Sequence, residues 1–426
     1  MHDVNVARAL MGDSLAFHII FAMLGVGLPL IILLVEQLGL RRKDPLILEH
    51  ARRLSHASIL LVVVGVASGT IISIQMSLVW GHLIKFGGPV LGLAFGWEGY
   101  AFMLESVFLA FYVTSWGKIK GWKHWLIGVP VALGSLGSAF SITLGNAWMQ
   151  NPGVLKIVDG SVVTQNPLSL LLTKTALFMT THSIIGYYLA TALCVLGIYA
   201  YYSLRYSPVG KERDAVRQIM FRLAATSVFF VVVTGLIGHL QTQFLAKSQP
   251  RKFAALEMVE QSGSHQPYIL FGEWKANGTV DGGLRIPSGL SLLTGNSPNT
   301  RLQGLSDFPK QDWPMLFINK LFEVKLLLVA VIAVIPLAYV VLDFGRLRKL
   351  WGELRFSRVY LWAMILVGPI AIAVVELGWL VAEFGRQPFA VNGYLRTSEA
   401  FSATSTVASW GYIFPALFLV LFAVSG

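Results

Sequence analysis

The run VYLWAMILVGPIAIAVVELGWLVAEF, Val359–Phe384, decides what kind of chain this is. At 1.5 Å per residue a helix of this length crosses about 30 Å of hydrocarbon. Its only charges are Glu376 and Glu383, seven residues apart, close to two helical turns, so both face one stripe. A second apolar run, Leu91 to Trp116, repeats the pattern with Glu98 and Glu105. A carboxylate at bilayer depth costs roughly 2.5–3.5 kcal/mol on insertion scales. Four of them need a protein interior that uses or neutralises them.

Working outward, further apolar stretches of spanning length fall at Ser14 to Leu38, Ala57 to Leu78, Trp125 to Trp148, Leu171 to Leu204, Arg222 to Phe244, Leu316 to Phe344 and Ser402 to Ser425, which makes nine spans in all. The last ends at the chain terminus with no polar flank and reads as cut short. The fold class expected is therefore an all-α polytopic transmembrane helical bundle. Composition agrees: of 426 residues, 55% are hydrophobic and 13% charged, with a mean hydropathy of +0.65, which excludes an ordinary soluble enzyme. The net charge of +11 comes from short basic clusters between apolar runs, not from one patch, so no nucleic-acid partner is expected. The single cysteine, Cys194, excludes an intrachain disulfide framework and a zinc cluster. No cleavable leader is expected, because the first apolar run is too long and lacks a small-residue cleavage site.

Arg41, Arg42, Lys43, Arg52 and Arg53 crowd the first loop; Lys118, Lys120 and Lys123 the third; Arg205, Lys211, Arg213 and Arg217 the fifth; Arg346, Arg348, Lys349, Arg355 and Arg358 the seventh. The short even loops carry few cations. By the positive-inside rule the odd loops are cytoplasmic and the N-terminus lies outside. The sixth loop, about Ala246 to Pro314, is long, polar and external, and its opening run QPRKFAALE, Gln249 to Glu257, reads as a short ordered segment.

In that orientation the polar intramembrane residues gather in the outer half. His18, Glu98, His182, Glu376 and Glu383 fall there, Arg386 follows one turn on, and Glu105 lies deeper, near mid-membrane. A lone intramembrane histidine is often only a packing residue, and paired glutamates can be interhelical ion pairs with Arg386 or Arg8. The 12 tryptophans read as an interfacial belt. His2, His50, His56, His82, His124 and His265 read as solvated or interfacial, and His239 is ambiguous. Two chemistries fit a layer of imidazoles and carboxylates: axial ligation of heme irons, or a proton-coupled transporter working through the glutamates. The absence of internal repeats weighs against the transporter.

Three strings carry a resemblance: VELGWLVAEFGRQPF, Val375 to Phe389; GNAWMQNP, Gly145 to Pro152; and QPRKFAALE, Gln249 to Glu257. Together they resemble subunit I of the cytochrome bd quinol oxidases, along essentially the whole chain. The resemblance implies a terminal oxidase of a bacterial or archaeal cytoplasmic membrane. Such an enzyme oxidises quinol at the outer face and reduces dioxygen to water with cytoplasmic protons, building a proton motive force without pumping. The implied cofactors are a low-spin heme b, a high-spin heme b and heme d, with no copper, and the implied partner is a second membrane subunit. A nearer alternative is a heme-bearing relative that reduces another small oxidant.

By position, His18, Glu98 and Glu376 resemble the residues at the high-spin irons, and His182 the axial histidine of the low-spin heme. Which high-spin heme each serves stays open. Arg8, Arg386 and Lys320 resemble groups that hold the cofactors' acid side chains. Lys252 and Glu257 resemble the quinol site, and Glu105, Ser106, Ser138 and Asn146 the line that brings protons to oxygen. One departure stands out. The family's low-spin heme takes a methionine from a Phe-Arg-Ile-Met run in the seventh span, where this chain reads Asn319-Lys320-Leu321-Phe322. Phe322 cannot ligate iron, and Met315 and Glu323 reach that place only with a shift of the helix. The organisation expected is 1–245 with heme ligands of both kinds, 246–314 as the outer quinol-binding loop, and 315–426 with the Glu/Arg heme-site motif.

Overall fold

The structure, a computed structural model, describes residues 2–344, 347, 349, 350, 352–402 and 420. Eight long helices dominate: α1 (His2–Arg42), α2 (Pro45–Val79), α3 (Gly81–Thr114), α4 (Trp122–Gln150), α5 (Lys174–Tyr206), α6 (Gly210–Ser248), α7 (Ile318–Leu342) and α8 (Arg358–Phe384). Among the described residues seven helices, all of these but α3, are long and apolar enough to cross a membrane. α3 falls short because its two glutamates and its many glycines dilute the apolar run. The expected ninth span, Ser402 to Ser425, lies almost wholly outside the described residues.

Local chemistry sets several helix starts. Asp44 accepts a hydrogen bond from Leu46 N at 2.9 Å ahead of Pro45, Thr173 caps α5 through Ala176 N at 3.2 Å, and Ser357 caps α8 through Tyr360 N at 3.3 Å. The fifth span therefore starts at Lys174 rather than Leu171, because a separate short helix, Pro167–Leu171, precedes the Thr173 cap. α6 begins three turns before the expected Arg222, so the basic stretch after Val209 is helical too.

α5 is the central helix and packs on α1, α4, α6 and α8; α3 pairs with α4, α1 with α2, and α7 with α6 and α8. Small residues let backbones meet at the crossings. A Cβ on Gly27 would come within 2.0 Å of Thr191 Oγ1, one on Gly197 within 3.2 Å of Met364 O, and one on Gly134 within 2.7 Å of Glu105 N. The exterior is apolar, with Tyr100, Val107, Phe111, Leu126 and Leu133 all exposed, as a lipid-facing surface requires.

Residues 249–317 cover one end of the bundle. A short helix, Pro250–Leu256, is followed by two antiparallel ribbons, Tyr268–Leu270 with Leu284–Ile286 and Glu273–Trp274 with Val280–Asp281. Phe253, Leu256, Val259, Leu290, Leu305 and Ile318 bury together against Val381 of α8, which fixes this cap to the helices beneath it.

The far end closes differently. His124 Nδ1 lies 2.7 Å from Glu36 Oε1 and its Nε2 lies 3.1 Å from Tyr112 O, while Tyr112 donates to Glu36 Oε2 at 2.5 Å. His50 is likewise buried, 3.1 Å from Glu212 Oε1. Both histidines were expected to be solvated or interfacial. They are buried because their acidic partners arrive from other helices.

Candidate functional site

Beneath the cap, three helices change character. Residues 15–22 of α1 and 372–380 of α8 are all half-buried, and so are residues 181–188 of α5 apart from Ile184. Farther along, the same helices are tightly packed: Ile31, Ile32, Val35, Leu193, Leu196 and Val367 belong to one closed apolar core. In these three stretches few side chains are fully buried, and the same layer holds the ionisable residues. His182 is eight residues from the start of α5 and Glu376 eight from the end of α8, each about 12 Å in from the capped end. His18 is level with Ser68 and Gly69 of α2. Glu98 lies between Ala94, which meets α4 at Gly145, and Glu105, which meets it at Gly134.

His18 is the better defined imidazole. Its Nδ1 is 2.8 Å from Ser68 Oγ, and that hydroxyl also donates to Val64 O at 2.8 Å. A hydroxyl has one proton, so Ser68 accepts from His18 Nδ1–H and leaves Nε2 with a free lone pair, the form a metal needs. His182 has no hydrogen-bond partner among the described residues, and its Nδ1 is fully buried. Gly238 of α6 makes room for the ring, since a Cβ there would lie 3.3 Å from Cε1.

Several other buried polar atoms here lack partners among the described residues: Glu376 Oε1, Ser106 Oγ, Gln75 Oε1, and both Nε and Nη1 of Arg386. An unsatisfied buried donor or acceptor costs about 1–3 kcal/mol, more when charged, so this grouping calls for a ligand. The residues fit heme: imidazole and carboxylate atoms for iron, and free guanidinium N–H groups for the acid side chains of a macrocycle. Glu98 is half-buried, and Arg8 lies half-buried near the start of α1 with no ion pair among the described residues. Lys320, expected to hold an acid side chain as well, is committed to the cap: it donates to Gly272 O and pairs with Glu323 Oε2 at 3.1 Å.

Under the cap, Lys252 Nζ donates to Gln150 Oε1 and to Ala382 O, both at 3.0 Å. Gln150 Nε2 donates to Ala382 O at 3.0 Å and to Asn146 Oδ1 at 3.4 Å; Asn146 in turn donates to Glu383 Oε1 at 2.8 Å, and Glu383 pairs with Arg386. One network thus joins the cap to the ends of α4 and α8. Burial pulls the Lys252 ammonium down to about 8, and burial beside Glu323 pushes the Glu257 carboxyl up to about 7.

Of the expected proton line, Glu105 is buried where Gly134 admits α4, with Ser106 beside it and Ser138 one turn along α4. Asn146 is not brought to Glu105. It sits twelve residues along α4 from Gly134, about 18 Å away, inside the cap network. Sequence reasoning missed Ser68 and Gln75, small polar residues in an apolar helix, and gave Gln150 no role. Gln75 Nε2 donates to Ser14 Oγ at 2.7 Å, one turn from His18.

Residues 6–426 match the family model described as cytochrome bd terminal oxidase subunit I. The chain is 30% identical to a putative cytochrome bd menaquinol oxidase subunit I of Bacillus subtilis (strain 168), over 99% of this chain and 94% of that protein. It is 27% identical to the cytochrome bd ubiquinol oxidase subunit 1 of the same organism, over 96% and 88%. The bd oxidase structure from Geobacillus thermodenitrificans superposes with a TM-score of 0.92 at 32% identity, covering 99% of this chain and 96% of that one. With a whole-length match in both sequence and fold, this multi-pass helical chain belongs to the cytochrome bd terminal oxidase subunit I family.

Proposed function

We propose that this chain is the heme-bearing subunit of a quinol:oxygen oxidoreductase in a bacterial or archaeal cytoplasmic membrane, with the capped end outside. The observation that carries the reading is the set of buried atoms without a partner among the described residues, ligating ones on His182 and Glu376 and guanidinium donors on Arg386, beneath a cap that buries Lys252 and Glu257. Bound there, hemes b and d supply one-electron transfer and the reduction of dioxygen to water.

In this reading His182 holds the low-spin heme, and His18, Glu98 and Glu376 hold the high-spin pair. Ser68 keeps His18 in its ligating tautomer, and Arg386 and Arg8 neutralise acid side chains, with Lys320 able to share only what Gly272 and Glu323 leave free. Residues 246–314 receive the quinol. Lys252 orients a quinol oxygen and Glu257, ionised in part of the population near pH 7, accepts a hydroxyl proton and passes it to the outer water. Protons for oxygen enter from the basic-loop side through Glu105, Ser106 and Ser138, with Asn146 serving the capped end. Release outside and uptake inside separate charge without a pump. A second membrane subunit completes the enzyme by covering part of the apolar exterior. The Bacillus relatives, one named a menaquinol oxidase subunit and one a ubiquinol oxidase subunit, support the quinol class as donor.

The test is a reduced-minus-oxidised visible spectrum of the purified complex with pyridine-hemochrome quantitation, for the wild type and His182→Ala. The low-spin signal is expected in the wild type and lost in the variant while the other hemes remain. A protein without heme, or a low-spin signal indifferent to His182, defeats the assignment.

A further inference from the structure

α7 carries one cation that nothing described so far uses. Lys325 lies seven residues from the start of α7, about 10 Å in from the capped end and so close to the depth of His182. It forms no hydrogen bond or ion pair among the described residues, whereas its neighbours are all committed. Glu323 Oε1 accepts from Phe271 N at 2.6 Å and Oε2 pairs with Lys320. Met315, Leu321 and Phe322 pack into the cap's apolar cluster.

Lys325 lies along α8 where Gly378 leaves room; a Cβ there would be 3.4 Å from Nζ and 3.5 Å from Cε. α8, along which Lys325 lies, packs on α5 as well as on α7, and His182 sits on α5 at a similar depth. An uncompensated ammonium at this depth is costly to bury. Escape to the cap is the usual relief for a membrane lysine, and Lys320 takes it by reaching Gly272 O. Lys325 does not.

Helical side chains lean toward the helix N-terminus and cover the turn before their own Cα. For Lys325 that turn holds Phe322, the position at which the resembling family would supply methionine. A lysine one turn later has a four-carbon stem long enough to reach back over that turn. We propose that Lys325, as a neutral amine, is the second axial ligand of the iron held by His182, and that its proton leaves to water when the bond forms, as ligation by a protonated group requires. The inference rests on the reading that His182 binds heme. It replaces Met315 and Glu323 as candidates, since both are engaged elsewhere.

The experiment uses the complete purified oxidase complex and reads electron paramagnetic resonance, the near-infrared charge-transfer region and pyridine-hemochrome content. The wild type is expected to show a low-spin ferric heme without a thioether-to-iron band. K325A keeps its heme content and loses the low-spin signal to a high-spin one. K325M regains a low-spin signal, now with the thioether band and a raised midpoint potential, because axial-ligand identity sets potential. K325R separates ligation from charge: a guanidinium keeps the charge but does not ligate, so loss of the low-spin signal there supports the amine and retention overturns it. A thioether band in the wild type overturns the proposal without any variant, which covers the case in which K325A fails to assemble. H182A is the control for the underlying reading. If H182A abolishes the low-spin signal and K325A keeps it, the lysine assignment alone falls; if H182A changes nothing, the heme assignment of His182 falls first.

Discussion

The two ends of this bundle use the same residue types to opposite effect. At the far end Glu36 and His124 are 1% and 2% exposed, and both imidazole nitrogens and both carboxylate oxygens have protein partners. Under the cap, His182 and Glu376 hold buried atoms with none among the described residues. The lesson is that a glutamate or histidine in a membrane helix announces function only through the bonding capacity its neighbours leave open. A satisfied cluster is a rivet; an unsatisfied one is a socket.

Several substitutions would break or sharpen that contrast. The largest effect is expected from Glu376→Ala, which removes the carboxylate proposed to hold iron: oxygen uptake by purified enzyme falls to background, while the thermal unfolding temperature moves little. Normal turnover in that variant would dissolve the contrast. Next, His124→Ala leaves Glu36 Oε1 buried without a partner, with only Tyr112 still donating to Oε2, and should cost about 3–5 kcal/mol, read as a large drop in unfolding temperature, with the heme spectrum of the surviving folded fraction unchanged. Ser68→Ala removes the group that selects the His18 tautomer. By analogy with outer-shell partners of metal sites, it should weaken retention of the associated heme by about 10–100-fold, measured by heme loss to an apo-acceptor protein.

Quinol oxidation should rise with pH through about 7, because the Glu257 carboxyl is raised by burial and accepts a proton only when ionised. It should fall again above about 8 as Lys252 loses its charge. Glu257→Gln should flatten the rising limb, so a rising limb that persists in that variant belongs to another group. The smallest effect is expected from Gly238→Ala, whose new methyl would press on His182 at 3.3 Å; it should shift the low-spin band without abolishing it.

Much of this was legible before any coordinates. Helix rise converts position along a run into depth, and the positions of His18, Glu98, His182 and Glu376 in their runs mark one layer. The run from Gln249 reads in the sequence as a short ordered segment, and it folds as a helix with Pro250 at its start. Long-range partnership was not legible. His50 and His124 looked peripheral because each stands near a helix end, and their burial depends on Glu212 and Glu36, which lie far away in sequence. Asn146 was grouped with Glu105 by resemblance, yet helix length separates them and Glu383 claims the amide. Lys325 escaped notice although the rule applied to the glutamates, that a charge inside an apolar run needs explaining, covers it equally.

Lys252 has one more implication. The cap is hooked to α8 through that side chain, which threads over Gly385 so closely that a Cβ there would meet its Cε at 2.6 Å. Swinging the cap away like a door would strip a buried cation of two acceptors at each catalytic cycle. On the proposed reading, a long-tailed quinol is therefore better served by entering sideways from the lipid leaflet than by way of a hinged cap.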